Sequence, residues 1–246
     1  MLNAWLAALI VALTGAAVPV APRSEEPTVI VRRSNGLPLW IPATEAFTDS
    51  GDLREDLFPP HVRAQLHQVR DLNPERCEYA AVAPSLEIFE PVDSLENLAI
   101  SAESVFSGAI VAAEPGFYDG NPGTLFSIQV DRAFKRGHAA STVPTVSLFL
   151  GIGEIKTPRG HICGRGLRGA VAPNLGDEVL FFAHLAPMDL GGRIFVVEPH
   201  KALLVQSKSH LTMPSALVDG HAPKDLAEAI SRVRSVLGTD RTSKLH

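Results

Sequence analysis

The sequence predicts a mainly β protein, a small antiparallel β-barrel with flanking helices, and two observations lead to this fold class. From residue 105 onward, short apolar segments show alternating or continuous β-type patterns instead of a helical period. Turn residues separate these segments at the spacing of a small barrel or sandwich, which argues against a parallel sheet. Hydrophobic residues make up 46% of the chain and charged residues 20%, so we expect a folded protein with one core.

Residues 1–17 have the pattern of a secretory signal peptide. The run AWLAALIVAL is apolar, Gly15 and Ala17 suit a signal-peptidase site, and Pro19 and Pro22 end any helix. The alternative is an uncleaved membrane anchor, since no Lys or Arg precedes the apolar run, but an anchor needs about 20 apolar residues. We expect an exported protein, periplasmic or extracellular, that retains no membrane span after signal removal.

Residues 18–92 are predicted to form an irregular, proline-rich extension. One short strand is expected at 28–32 and one helix at 61–72, where apolar residues share a face behind two prolines. His61 and His67 lie on different sides of that helix, so they are interpreted as solvated residues and not as a metal pair.

Residues 93–210 are predicted to form a helix followed by the barrel. Asp93 has the sequence of an N-cap, with Glu96 completing a capping box, before a helix of about three turns. Gly108, within the first strand, is typical of a bulge or a tight bend, and FYDGNPG predicts a hairpin with a long tip. Six strands are expected, at 105–113, 124–134, 145–150, 178–183, 193–198 and 202–206.

Residues 211–246 are predicted to hold a C-terminal amphipathic helix and a tail. Leu226, Ile230, Val233 and Leu237 form one apolar stripe, and Gly238 is placed to end the helix. Such a stripe usually packs on a core, so we expect this helix to dock on the barrel.

The chain has two cysteines, Cys77 and Cys163. An even number of cysteines in an exported protein favours a disulfide, because thiols meet an oxidising environment outside the cytoplasm. Two separate buried thiols are the alternative.

The sequence contains no common nucleophile, zinc or nucleotide motif, and we expect no cofactor and no bound metal. A net charge of −5 argues against nucleic acid as a partner, because phosphate binding needs a basic surface. The most site-like segment is KTPRGHICGRGLRG, where guanidinium groups and backbone amides can hold an anion. The candidate ligand-binding residues are Arg159, His161, Arg165 and Arg168, together with Tyr118 and Asp119 of the hairpin tip; a solvated loop is the alternative for the basic segment.

The stretch from 101 to 206 resembles the netrin-like and metalloproteinase-inhibitor (TIMP) type of OB-fold, and more closely a class of exported bacterial domains without assigned function. The resemblance rests on AESVFSGAIV, VDRAFKRG, ICG and GDEVLFFA, in that order. It implies an OB-like barrel, and it supports the disulfide, because the inhibitor cysteine that matches Cys163 ties the N-terminal segment to the barrel. Those inhibitors chelate zinc through an N-terminal cysteine, whereas Cys77 lies far inside this chain.

The leading functional hypothesis is a non-enzymatic exported domain that binds an unknown protein or a small anionic ligand through the barrel loops. The alternatives are an inhibitor of an extracellular protease and an envelope hydrolase. The hydrolase would need His161 or His184 brought next to a Ser and a carboxylate by the fold.

Overall fold

A computed structural model of the chain describes residues 38–70, 78–79, 94–135, 144–157, 160–164, 172–185, 194–196, 203–213 and 222–238. These residues form a mainly β structure with a C-terminal helix, as the sequence predicts. The predicted signal segment, the strand expected at 28–32, Cys77 and Asp93 lie outside the described residues.

Residues 38–70, expected to belong to an irregular extension, contain regular elements. They comprise β1 (Trp40–Pro42), α1 (Ala43–Ala46), a 3-10 turn (Glu55–Leu57) and α2 (Pro60–Arg70). Helix α2 confirms the helix predicted at 61–72, and its first residue is a proline, whose fixed φ suits that position. The other elements are three or four residues long, which is too short for a hydrophobic period to be visible in the sequence.

The first helix of the barrel segment, α3 (Leu95–Ser101), is shorter than predicted and begins one residue later. Its N-cap is Ser94 and not Asp93, because the Ser94 hydroxyl accepts a hydrogen bond from the Asn97 amide at 3.1 Å. The helix buries Leu95, Leu98 and Ala99 against the sheet.

Strands β3 (Ser104–Tyr118) and β4 (Asn121–Lys135) form a hairpin of 15 residues on each side. The predicted long tip is wrong: Tyr118 pairs with Asn121, and only Asp119 and Gly120 connect the strands. Both connecting residues have positive φ, 51° and 80°, which is the conformation of the type I′ turn that Asp-Gly favours.

The bulge predicted at Gly108 is confirmed. Ser107 pairs with Arg132 and Gly108 pairs with Val130, so Asp131 is an extra residue on β4. A Cβ atom at Gly108 would overlap the carbonyl oxygen of Gln129, so only glycine allows the two strands to approach this closely.

A second, three-stranded sheet lies where the sequence suggested a basic loop. After β4, the chain forms β5 (Thr145–Leu150), which belongs to the main sheet. The second sheet consists of β6 (Gly153–Thr157), β7 (Gly160–Gly164) and β2 (Glu78–Tyr79), and β7 pairs in parallel with β2. The order in this sheet is β2-β7-β6. Its strands are two to five residues long and two of them begin with glycine, so they lack a β-type signature in the sequence.

The main sheet is completed by β8 (Glu178–Leu185), β9 (Ile194–Val196), β10 (Leu203–Ser207) and β11 (His210–Thr212). All six predicted strands are confirmed as β3, β4, β5, β8, β9 and β10; β5 has the predicted bounds, and the bounds of the other five are shifted. The pairings can be followed from β3 through β4, β5, β9 and β8 back to β3, and only β5–β9 is parallel. The described β9 has three residues and meets β8 at two positions, so the sheet is curled but is not a closed barrel.

The C-terminal helix α4 (Leu226–Leu237) docks on this sheet, as predicted. Its N-cap carboxylate, Asp225, accepts a hydrogen bond from the Glu228 amide at 2.8 Å. Arg232 holds α4 against α3 through two hydrogen bonds to the Glu96 carboxylate, of 2.7 and 2.9 Å. In the part of the chain that the structure describes, every helix is too short or too polar to cross a membrane.

Candidate ligand-binding cleft

Most residues of the predicted anion site fall outside the described part of the chain. Arg159, Arg165 and Arg168 are not among the described residues. His161 belongs to β7, where its backbone pairs with Lys156 of β6. The structure therefore replaces part of the expected loop by a β-hairpin.

The two tip residues are placed differently from each other. Tyr118 is 8% exposed and its ring lies 5.1 Å from that of Phe149, so it contributes to a small aromatic cluster. Asp119 occupies the tight turn, and its backbone amide donates to the Leu39 carbonyl at 2.9 Å. Both residues stabilise the packing of the N-terminal segment on the hairpin.

Cys163 lies in β7 and is 4% exposed. The strand that pairs beside it, β2, begins at Glu78, directly after Cys77 in the sequence. No cysteine among the described residues is a free thiol.

A cleft of about 390 Å³ lies between helix α4 and the strands β3, β4 and β8, and we call it the α4 cleft. This volume is within the range of about 300–1,000 Å³ that small-molecule sites occupy. Its lining residues are Ser107, Gly108, Asp131, Arg132, Glu178, Leu226, Ala227, Ile230, Ser231 and Arg234.

The bulge in β4 explains why two adjacent charged residues line the α4 cleft. Successive side chains of a regular strand point to opposite faces, so Asp131 and Arg132 would normally be separated by the sheet. The extra residue of a bulge re-aims its neighbour, and here both side chains are exposed and line the cleft.

Strand β8 supplies the second carboxylate. Glu178 lies opposite Ala109 of β3, whereas Leu180, two residues further along, lies opposite Ser107. Residues two apart in a strand share a face, so Glu178 stands at the open end of the same face on which Leu180 is buried.

Helix α4 supplies the opposite side of the cleft. Leu226 and Ile230 belong to its apolar stripe and form the hydrophobic part of the lining, while Arg234 is exposed one turn further on. The helix start is fixed over β10, because the Leu226 amide donates to Gln206 Oε1 at 3.2 Å. Gln206 in turn pairs with Glu178, which places that carboxylate near the N-terminal end of α4.

Ser107 is the buried polar residue of the cleft. It is 3% exposed, and its hydroxyl has no hydrogen-bond partner among the described residues. A buried hydroxyl without a partner costs about 1–3 kcal/mol, so such groups are uncommon away from functional sites.

The four charged side chains of the cleft also have no partners among the described residues. Asp131, Arg132, Glu178 and Arg234 form no ion pair within 4.0 Å there, although Arg232, on the same helix, is paired with Glu96. The cleft thus presents two carboxylates and two guanidinium groups that are available to a ligand, and the Ser107 hydroxyl is buried in its wall.

The histidines considered for metal binding or hydrolysis lie elsewhere. His67 of α2 contacts Glu55, with 2.9 Å between Nε2 and Oε1, and His184 is located in β8. Among the described residues, no group of three or more His, Cys, Asp or Glu side chains is placed to hold a metal ion.

The sequence analysis missed the residues of the α4 cleft. Asp131 is exposed, but nothing in the sequence shows that a register shift brings Arg132 beside it. One signal was available: Gly108, interpreted as a bulge, marks the same position along the hairpin.

A comparison of the chain with protein-family models finds no match, and a search of curated proteins finds none either.

Proposed function

We propose that this protein is an exported, non-enzymatic binding domain whose small-molecule ligand occupies the α4 cleft. The observation that carries the proposal is the combination of unpaired groups described above. Four charged side chains line one cavity, whose wall also contains the buried Ser107, and none of these side chains has a partner among the described residues. Polar groups left without partners in a preformed cavity are typical of a ligand site.

The lining favours binding over catalysis. Nucleophilic catalysis by a serine needs a base within hydrogen-bond reach, and Ser107 has no such contact among the described residues. No imidazole or thiol lines the described cleft. The charges suit recognition of a charged ligand by ion pairs.

The proposed framework is an OB-type barrel of the netrin-like kind. Its support is the strand order, in which β8 returns to lie beside β3 while β3, β4 and β5 are consecutive neighbours. This arrangement is a Greek key, and OB-folds are five-stranded Greek-key barrels that are partly open. The short contact between β8 and β9 suits such an incompletely closed form.

We propose further that Cys77 and Cys163 form a disulfide in the exported protein. The parallel pairing of β2 with β7 supports this bond, because it brings the chain directly after Cys77 alongside Cys163. Mass measurement of secreted protein under reducing and non-reducing conditions tests both the disulfide and the removal of the signal peptide. A mature chain that begins after Ala17 and gains two hydrogens on reduction is expected, whereas two free thiols in secreted material would contradict the bond.

The binding role is tested by thermal shift. The purified protein is screened against amino acids, dipeptides, dicarboxylates, polyamines and sugar phosphates, alongside the double variant Arg132→Gln/Arg234→Gln. We expect at least one compound class to raise the Tm of the native chain and to lose most of this effect in the variant. A matched control is Arg54→Gln, which removes an exposed guanidinium far from the cleft in the sequence.

The proposal is wrong if no compound shifts the Tm, or if the double variant responds like the native chain. In either case, the cleft charges serve only solvation.

A further inference from the structure

We infer that the ligand of the α4 cleft is a zwitterion, a small molecule that carries an ammonium group at one end and a carboxylate at the other, of the size of a short peptide. This inference rests on the proposed function and specifies its ligand class. It follows from the sign, the position and the surroundings of the cleft charges.

The charges of the cleft balance. Asp131 and Glu178 are acidic, and Arg132 and Arg234 are basic, so the formal charge of the lining is zero. A purely anionic ligand would be drawn to the two guanidinium groups but would meet two carboxylates that it cannot pair. A purely cationic ligand would pair with the two carboxylates but would meet two guanidinium groups. Like charges brought together in a site are penalised. A ligand with both charges can pair with groups of both signs.

The strand register separates one basic group from one acidic group. Arg132 flanks β3 on the β4 side opposite Ser107, and Glu178 flanks it on the β8 side opposite Ala109. Two residues along a strand span about 6–7 Å, and two strand spacings span about 9–10 Å. The two backbone positions are therefore about 12 Å apart, and the side chains shorten the gap that a ligand must bridge.

Along helix α4, a basic group and an acidic group are separated by a similar distance. Its start lies near Glu178, because Leu226 contacts Gln206 and Gln206 pairs with Glu178. Arg234 is eight positions after Leu226, which is about 12 Å along a helix. The acidic group at one end and the basic group at the other favour a ligand with its ammonium group toward Glu178 and its carboxylate toward Arg234.

The surface between the charged ends is mixed. Leu226 and Ile230 provide apolar contact for an aliphatic side chain, and the buried Ser107 lies in the wall of the same cleft. A volume of about 390 Å³ accommodates a ligand of dipeptide size. This combination of an apolar strip with few polar groups is the usual construction of a small-molecule site.

The test uses the full mature chain and a set of free dipeptides built from Ala, Leu, Phe, Lys and Glu, with affinity measured by calorimetry. The tightest dipeptide is then compared with its N-acetyl, C-amide and doubly blocked forms. We expect each single block to weaken binding at least tenfold, and the double block to abolish it. Equal binding of the N-acetyl form would show that an anion suffices, and equal binding of the amide would show that a cation suffices; either result overturns the zwitterion.

Two variants test which residue binds each end of the ligand. In Glu178→Gln, the penalty for N-acetylation should shrink to less than threefold while the penalty for amidation persists. In Arg234→Gln, the opposite pattern is expected. Asp49→Asn and Arg54→Gln, exposed positions far from the cleft in the sequence, should retain both penalties. A loss of stability alone would lower all affinities together and would not produce these opposite patterns.

The outcomes separate the two proposals. If the dipeptides fail to bind but another compound binds in the α4 cleft, the zwitterion is wrong and the binding role stands. If the native chain and the cleft variants behave alike toward every compound, both are wrong.

Discussion

The two ends of the β3–β4 hairpin are covered in different ways. At the tip, residues 38–70 pack apolar and aromatic side chains against the strands, and Phe117 is fully buried between Phe47 and Phe58. At the base, α4 covers the same two strands but leaves a cavity lined by charged residues without partners among the described residues.

This difference indicates a division of roles along one hairpin. Tight packing maximises the stability gained from buried apolar surface, whereas polar groups without partners cost stability and are retained where they bind something. We therefore expect substitutions at the tip to destabilise the fold, and substitutions at the base to change ligand binding more than stability.

The largest effect is expected for Phe117→Ala. The ring of Phe117 lies 5.2 Å from that of Phe58 and 6.0 Å from that of Phe47, and truncation leaves a cavity among them. We expect a loss of about 3–5 kcal/mol in the free energy of unfolding, measured by urea denaturation. Ile100→Ala, at a position that is 57% exposed, is the control and should change it little. A loss as small as the control's would show that residues 38–70 do not pack on the tip.

The next effect is expected for Gly120→Ala at the hairpin turn. Gly120 has a φ of 80°, and an added Cβ would lie 2.6 Å from a methyl group of Val62. Backbone strain and this contact together should cost about 1–3 kcal/mol. Gly151→Ala is the matched control, because its added Cβ meets no atom within 4 Å. Equal thermal stability of the two variants would argue against the tight Asp-Gly turn.

A smaller effect is expected for Arg232→Gln, which breaks the contact between α3 and α4. The Arg232 and Glu96 side chains are 21% and 30% exposed, so solvent screens the pair only in part. We expect a loss of about 1 kcal/mol that decreases at high salt. A double-mutant cycle with Glu96→Gln isolates the pair, and a coupling energy of zero would contradict the contact. Removal of the more exposed Arg54 should have no measurable effect.

The smallest effect, with the opposite sign, is expected for Ser107→Ala. The substitution removes a buried hydroxyl that has no partner among the described residues, so the unliganded protein should gain up to about 1 kcal/mol. Ser101→Ala removes a hydroxyl that donates to the Leu98 carbonyl at 3.1 Å, and it should give no such gain. Destabilisation by Ser107→Ala would show that this hydroxyl stabilises the fold.

Much of the fold could be predicted because its central elements carry their own periodicity. The alternation of Phe126, Ile128 and Val130 identifies β4, and the apolar stripe of α4 identifies the terminal helix. The short elements were missed because they are too short to show such a periodicity. Strands β1, β2 and β11 have two or three residues, so pairing with distant strands, and not their local pattern, decides their conformation.

The candidate site could not be predicted, because it depends on register. Asp131 and Arg132 share a cavity only because Ser107 and Gly108 pair with Arg132 and Val130, and such a shift leaves no trace in composition. The residues predicted from charge, including Arg159, Arg165 and Arg168, lie outside the described residues, and their role stays a prediction.

The ion pair between Arg232 and Glu96 joins positions that are 136 residues apart in the sequence. A ribosome must therefore synthesise the chain through α4 before α3 meets its partner helix, and β3 likewise pairs with β8 only after β8 has been made. Folding dominated by such distant contacts is slow, and incomplete chains expose apolar surface that aggregates readily. We expect the nascent chain to depend on chaperones until α4 has been made.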